Sequence, residues 1–450
     1  MTASIQISPE VARRFVLGKQ GIWPGRREHG IAGTERAMRN MEHLQLDPLQ
    51  IIARSQDIKL HSRVVDYNID DWQTLTYGHR KFFDWGGWLA VRPMNELPYF
   101  RRLMKRDRDL SADWKAEGRK HRVAIEEMRT LLKVRETVTN RDFAMADRTR
   151  HEGHYRGRKD SALALYYLWR MGEVMTHHRE RFERSYARTD LVAPPHLITE
   201  AGDNETDRFM LLKEIAFYGL HDTTGLRGLL HRPMNGENVK SLLAKLEADG
   251  LTISVQVEGW KERYIARAED VSHLADLNAG RVPSVWALDP VINTQTTADE
   301  CTFLSPLDNV SARGRALRLF DFAFTWEVYT KEHLRKFGYY ALPVLWGDKI
   351  VARFDSKLDR TTNTYVILGL WLEDKSLAKN EAFANALAAG FVRFTRFLGA
   401  DMLDATAIRE PLLKRAVKEH FKTRGLSIVF KPPVPPGRYP GSLAFDPNMS

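Results

Sequence analysis

Asn235-Gly-Glu-Asn-Val-Lys-Ser-Leu-Leu-Ala-Lys-Leu-Glu-Ala-Asp249, Gly250, then Leu251-Thr-Ile-Ser-Val-Gln-Val257 and Arg263-Tyr-Ile-Ala266, is the stretch whose reading decides the fold. Helix formers fill Glu237 to Asp249 and Gly250 stops them. From Leu251 to Val257 apolar and polar side chains alternate at the two-residue strand period, and Arg263–Ala266 reads as the return strand. With Thr223-Thr-Gly-Leu-Arg227 ahead of it, the order is short helix, second helix, glycine, hairpin. That is the winged-helix pattern, a helix-turn-helix extended by a β-ribbon.

The same order occurs once before. Thr139-Asn-Arg-Asp-Phe143 leads through a basic linker to a helix over Asp160–Met171, then Gly172, then alternating residues from Val174 to Arg188. The rival reading of both blocks is a pair of helix–hairpin packing units that touch no nucleic acid. Within the linker Arg148-Thr-Arg-His-Glu-Gly-His-Tyr-Arg-Gly-Arg-Lys159, the cations Arg156, Arg158 and Lys159 stand among glycines and an aromatic. Such a loop suits contact with phosphates, and a solvated loop is the alternative.

Composition narrows the partners. The 450 residues contain 68 Lys plus Arg against 58 Asp plus Glu, a formal charge of +10, which favours a polyanion: nucleic acid first, an anionic membrane surface second. Hydrophobic residues at 43% and aromatics at 10% describe a packed protein, and the length favours about three domains. One cysteine, Cys301, excludes an intramolecular disulfide and a thiolate zinc site. The first residues lack a basic segment followed by an apolar one, and no run of about 18 uncharged apolar residues occurs, so a cytoplasmic protein that neither enters nor spans a membrane is expected.

Chemistry concentrates in His43-Leu-Gln-Leu-Asp-Pro-Leu-Gln-Ile-Ile-Ala-Arg54. As a strand over Gln45–Ala53, this run projects Gln45 and Asp47 on one face and turns Leu46 into the core. An amide that orients a water and a carboxylate that takes its proton make a hydrolytic pair. The competing reading has Asp47 capping a turn with Pro48 while Gln45 satisfies nearby backbone. Lys59 is a challenger as a Schiff-base nucleophile. Elsewhere, helices are expected over Ser8–Leu17, with Ser8 as cap and Pro9 at the first position, over Thr34–Leu44, from Asp70, and as one long basic helix to Val134 with Val123, Met128, Leu131 and Leu132 buried. Trp85–Arg92 reads as a short strand. Phe337–Trp346, Lys349–Asp355 and Thr364–Trp371 read as antiparallel strands under a helix over Lys379–Phe397, and the Pro-rich tail from Lys431 as an extended segment. His177-His178 reads as a surface pair rather than a metal site, since neighbours on a strand point to opposite faces. Asp355 and Asp359 with Lys357 and Arg360 offer a weaker acid–base site.

Leu44-Gln-Leu-Asp47 with Ile52-Ala-Arg54, Leu304-Ser-Pro-Leu-Asp-Asn309, Leu319-Phe-Asp-Phe322, Glu327-Val-Tyr-Thr330, Phe337-Gly-Tyr-Tyr-Ala-Leu-Pro343, Asp355-Ser-Lys-Leu-Asp-Arg360 and Leu370-Trp371 together resemble the crosslink-repair DNA glycosylase family typified by bacterial YcaQ and AlkZ. The resemblance runs nearly the length of the chain. It implies a helix-rich α+β fold of three tandem winged-helix-type domains in a C-shaped arrangement, with a C-terminal antiparallel β-sheet and hairpin element. The expected divisions are residues 1–135, 136–200, 201–300 and 301–450. It also implies catalysis by Gln45 and Asp47, in the branch with Gln, an apolar residue and Asp, which acts on cationic N7-alkylated purines and unhooks interstrand crosslinks.

The implied setting is a bacterial, nucleoid-associated monomer on double-stranded DNA, with no metal or cofactor. Candidate DNA contacts are Arg54, Arg63, Arg101, Arg102, Arg156, Arg158, Lys159, Lys357 and Arg360, and candidate lesion contacts are Trp85 and Trp88, with Trp85 equally suited to the core. Many family members carry Trp-Ala-His-Glu where this chain has Trp85-Gly86-Gly87-Trp88, so the His and Glu are replaced by Gly87 and Trp88. A DNA-binding protein without turnover and an RNA-binding protein are the alternatives from other functional classes.

Overall fold

The computed structural model describes residues 4–86, 89–142, 160–312 and 314–431. Its elements make a helix-rich α+β fold, and among the described residues the strands gather into sheets of three, six, three and two strands. Both helix–hairpin blocks form. In the first, the helix Asp160–Arg170 turns at Gly172 into the antiparallel pair Val174–Glu180 and Glu183–Arg188. In the second, Asn235 and Asn238 exchange side-chain-to-backbone bonds at the start of the helix Gly236–Ala248, a reciprocal cap that satisfies two otherwise unpaired N–H groups. The hairpin Thr252–Val257 and Arg263–Arg267 comes next, and Ile5–Ile7, from the other end of the chain, adds to it in parallel at Val255–Val257.

The largest sheet runs, in spatial order, Ser427–Val429, Met402–Asp404, Thr364–Leu372, Lys349–Asp359, Leu342–Trp346 and Thr302–Phe303. Its first two pairings are parallel and the other three antiparallel, so the expected all-antiparallel element is a mixed sheet. The parallel strands come after helical crossovers, Glu381–Phe397 and Pro411–Thr423, which hairpin signals in the sequence do not reveal. Buried Ala384, Ala386 and Ala388 keep the first of these helices close to the sheet, where Phe303, Phe354, Phe391 and Phe394 interlock.

Three further expectations are corrected. The long basic helix is three, Leu97–Leu110, Ala112–Lys120 and Arg122–Val134, because Ser111 caps a new start by accepting from the Trp114 N–H. The last presents Ala124, Ile125, Met128 and Leu132 to the core and leaves Val123 67% exposed. The strand expected over Trp85–Arg92 is instead the end of one strand, Phe82–Trp85, and the start of its antiparallel partner, Ala90–Pro93. The strand expected over Gln45–Ala53 is only Leu44–Gln45, paired with Val91 and Ala90, and the backbone leaves the sheet at Asp47-Pro48.

Beyond that point the chain is held from far away in sequence. The helix Ser55–His61 is buried along its whole length, and the segment Leu304–Asn309 grips it. Ser305 Oγ meets Ser55 Oγ at 2.5 Å, Asn309 Oδ1 accepts from Lys59 Nζ at 3.3 Å, and Asp308 takes both ends of the Arg63 guanidinium at 2.8 and 3.0 Å. Arg63 and Asp308 have no exposed side-chain surface. Removing one partner of such a pair leaves an uncompensated buried charge and costs about 3–5 kcal/mol. Asp308→Ala is therefore expected to lower unfolding free energy by roughly that amount, read by urea denaturation at neutral pH.

Candidate active site

Leu44 and Leu46 are buried, whereas Gln45 and Asp47 are half-buried, so the two polar side chains share the outer side of this run. The Leu46 N–H donates to Leu89 O at 2.8 Å. Asp47 is fixed twice: its N–H donates to Gln56 Oε1 at 3.0 Å, and its Oδ1 accepts the Leu49 N–H at 2.7 Å. The second bond is an Asx-type turn, and Pro48, without an N–H, cannot extend the ladder. The turn expected as a rival to catalysis is thus present, and it occupies Asp47 Oδ1. Partial burial raises the Asp47 pKa above the usual carboxylate range, while the Leu49 N–H and the positive charge of Lys59 pull it back.

Three segments converge around this turn. The end of the Lys349–Asp359 strand reaches it through Leu358 N–H to Ile51 O at 3.2 Å, and Arg360 donates to Ile52 O at 3.1 Å. The tip of the Val174–Arg188 hairpin arrives as Phe182, sandwiched between the guanidiniums of Arg54 at 4.8 Å and Arg179 at 4.9 Å. Arg179 in turn pairs with buried Asp84 at 2.7 Å, which also accepts from Tyr77 and Thr176 and so ties the Phe82–Trp85 strand to that hairpin. From below comes Tyr340. Its backbone N–H and those of Tyr339 and Ser356 all donate to Asp355, whose carboxylate lies where a Cβ on Gly338, at φ +97°, would sit. The Tyr340 hydroxyl is buried without a hydrogen-bond partner, and burial first, then the charges of Asp47 and Asp57, push its pKa up.

The segment that carries Gln45 and Asp47 continues to Arg54, and Arg360 reaches it at Ile52; half-buried Lys357 lies in the same strand as Asp355. The structure separates others. Arg63 is removed from the DNA contacts by its burial against Asp308. Arg101 donates to Gly172 O at 3.2 Å, and Arg102 to Ala201 O at 2.6 Å with Glu200 and Asp203 beside it, so both half-buried guanidiniums already hold acceptors of the protein itself. Trp85 is 3% exposed, donates its Nε1–H to Arg170 O at 3.2 Å and packs on Phe100, which corrects its candidacy for lesion contact in favour of the core.

Lys59 is 1% exposed, which corrects the Schiff-base option: no substrate reaches its amine, though its charge reaches Asp47. Asp355 and Asp359 serve backbone turns. A bulge after Thr176 defeats the expected opposition of His177 and His178 and brings their Nδ1 atoms within 2.9 Å. Among the described residues no group of three or more His, Cys, Asp or Glu is placed to hold a metal. Gly87, Trp88, Arg156, Arg158, Lys159 and the Pro-rich tail lie outside the described residues.

A family model described as DNA glycosylase AlkZ-like matches residues 38–397, from just before Gln45 to the end of the helix over the large sheet. The chain belongs to the AlkZ-like DNA glycosylase family. In fold it is similar to the Streptomyces sahachiroi DNA glycosylase AlkZ, with a TM-score of 0.55 over 88% of this chain and 98% of that one, at 14% sequence identity. The family's span takes in every segment that meets at Asp47. No helix among the described residues is long and apolar enough to cross a membrane.

Sequence reasoning passed over Asp57, Tyr340, Phe182 and Asp84. Asp57 is 2% exposed, accepts the Tyr67 hydroxyl at 2.8 Å, and burial raises its pKa to about 7, with Tyr67 and Arg54 opposing. A carboxyl whose folded pKa lies above its unfolded value binds protons more tightly in the folded state, so stability is greatest below about pH 4 as far as this group is concerned, and falls as pH rises toward 7. Asp57→Asn is expected to remove this component, so that the variant's stability relative to the parent chain rises between about pH 4 and 7, measured by urea midpoints across that range; a difference that does not change with pH would contradict a raised pKa at Asp57.

Proposed function

We propose that the chain hydrolyses the N-glycosidic bond of cationic N7-alkylated purines in duplex DNA, with unhooking of interstrand crosslinks as an extension of the same reaction. The observation that supports this reading is Asp47: a half-buried carboxylate that accepts the Leu49 N–H, on a residue whose own N–H is held by Gln56 Oε1, beside Gln45 on the outer side of the strand end. An N7-alkylguanine already carries positive charge, so bond cleavage releases a neutral base and asks for no acid on the leaving group. One carboxylate suffices where ordinary glycoside hydrolysis uses two.

As the bond breaks, charge passes to the sugar. A carboxylate about 4 Å from that charge contributes about 4 kcal/mol at an effective dielectric near 20, an upper bound. That is roughly a thousandfold in rate. Asp47 Oδ2, the oxygen not taken by Leu49, receives the proton of the attacking water, and Gln45 orients that water through its amide. Arg54, Arg360 and Lys357 neutralise phosphates around the lesion, and the two helix–hairpin blocks act as winged helices along the duplex, with the domain divisions at 135, 200 and 300. An open site of this kind accepts a bulky adduct without drawing the base into a tight pocket, unlike most glycosylases.

Mass spectrometry of free N7-methylguanine released from methylated duplex DNA tests the reading. Asp47→Asn is expected to lose about a thousandfold in single-turnover rate while retaining DNA affinity, and Gln45→Ala to fall between. Equal release by Asp47→Asn removes the assignment. Arg360→Ala is expected to weaken binding and to flatten its salt dependence by about one counterion, seen in affinity measured from 50 to 200 mM salt.

A further inference from the structure

At the far end of the helix Ser55–His61 from Gln56, a cavity of about 480 Å³ opens between His61, Val65–Tyr67, Glu300 and the helix Glu381–Phe397. Its charge is unbalanced. Arg26 and Arg393 both converge on one carboxylate, Glu300, Arg26 in direct contact and Arg393 Nε at 3.7 Å. Arg396 and Arg424 stand at the rim, and the one other acid lining the cavity, Asp66, already accepts from the Gly30 N–H at 2.7 Å and meets His29 at 3.0 Å. Three guanidiniums thus line the cavity with two carboxylates, and one of those, Glu300, is already paired with buried Arg26.

Two polar atoms of the wall are buried without hydrogen-bond partners: Arg393 Nε and His61 Nε2. Neither is a slack side chain. Arg393 is pinned by donating to Val64 O at 2.7 Å and Val65 O at 2.5 Å, and His61, 6% exposed, is stacked on Phe397 with ring centroids 4.3 Å apart. An unsatisfied buried donor costs free energy that a bound acceptor recovers. Burial first, then crowding by Arg26, lowers the Arg393 pKa to about 9, against the opposing charges of Glu300 and Asp66.

We propose that this cavity is an anion site for a phosphate-type group, bound by Arg393, Arg396 and Arg424 with His61 as a further hydrogen-bond partner. Guanidinium forks match the paired oxygens of phosphate, and the cavity has room for a small molecule that carries one. The site is independent of the excision reading: its residues differ from those around Asp47.

Thermal-shift and calorimetric titration of the full chain with inorganic phosphate tests the proposal. Saturable stabilisation is expected, weakened roughly tenfold or more in the Arg396→Ala, Arg424→Ala double variant, since each charge-assisted bond removed contributes about 1.5 kcal/mol or more. Both residues are exposed, so the variant is expected to fold. Asp66→Asn, which removes a rim negative charge, is expected to tighten phosphate severalfold. Displacement of phosphate by a 5′-phosphorylated trinucleotide, against its unphosphorylated form, supports the site with a DNA end as the source; failure to displace supports it with a free phosphate compound. Absence of saturation, or equal affinity in the double variant, overturns the proposal.

Discussion

The pairing of Arg63 with Asp308 is the constraint on which the site rests. Two charges 245 residues apart are both sealed from solvent, and such a pair holds only if every remaining donor is met. Here each nitrogen of the guanidinium has an acceptor: besides Asp308, Arg63 donates to Gln20 O, Lys59 O and Ser62 Oγ, and Asp308 accepts the Val310 N–H. That network fixes the helix Ser55–His61, the helix fixes Gln56, and Gln56 Oε1 holds the backbone of Asp47. A half-exposed acid is therefore oriented by a fully buried one.

How much of this was legible in the sequence depends on how local each signal is. Asn235, Gly250 and the alternation from Leu251 to Val257 act on their own neighbourhood, and the helix and hairpin they specify are present. The facing of Gln45 and Asp47 was legible for the same reason: burial alternates from Leu44 to Asp47. The strand's length was not, because Asp47 bonds forward to Leu49 and Pro48 offers no donor. Cations misled most. Nothing local tells Arg63 from Arg54 or Arg360, since the carboxylate that holds it inside the protein lies 245 residues away. Phe182 and Tyr340 escaped because a contact between distant turns leaves no period to read.

The motifs shared with the family divide by function in a way their sequences do not announce. Leu304–Asn309 is a buried clamp on the helix behind the site, and Asp355 is a backbone acceptor that, with Gly338, sets the position of Tyr340. Of the matched segments, Leu44–Asp47 alone turns a carboxylate outward beside an amide. Most of the shared residues therefore keep a geometry, and very few would do chemistry.

That geometry bears on why the acid is left half-buried. A fully solvated Asp47 would stay ionised but act weakly, because water screens its charge. A fully buried one without an arginine partner would be pushed toward its neutral form, as burial pushes the Asp57 pKa up to about 7. Asp47 lies between, lifted by burial and restrained by the Leu49 N–H and Lys59. In the proposed reaction a cationic nucleoside completes this balance by favouring the ionised acid on arrival. The positive charge then moves from base to sugar as the bond breaks, so a carboxylate placed nearer the sugar gains more in the transition state than in the bound substrate. Only that difference accelerates the reaction. Uniform attraction to the charged base would tighten binding and leave the rate unchanged, which makes the rigidity of Asp47, and hence the distant Arg63–Asp308 pair, a kinetic matter as well as a structural one.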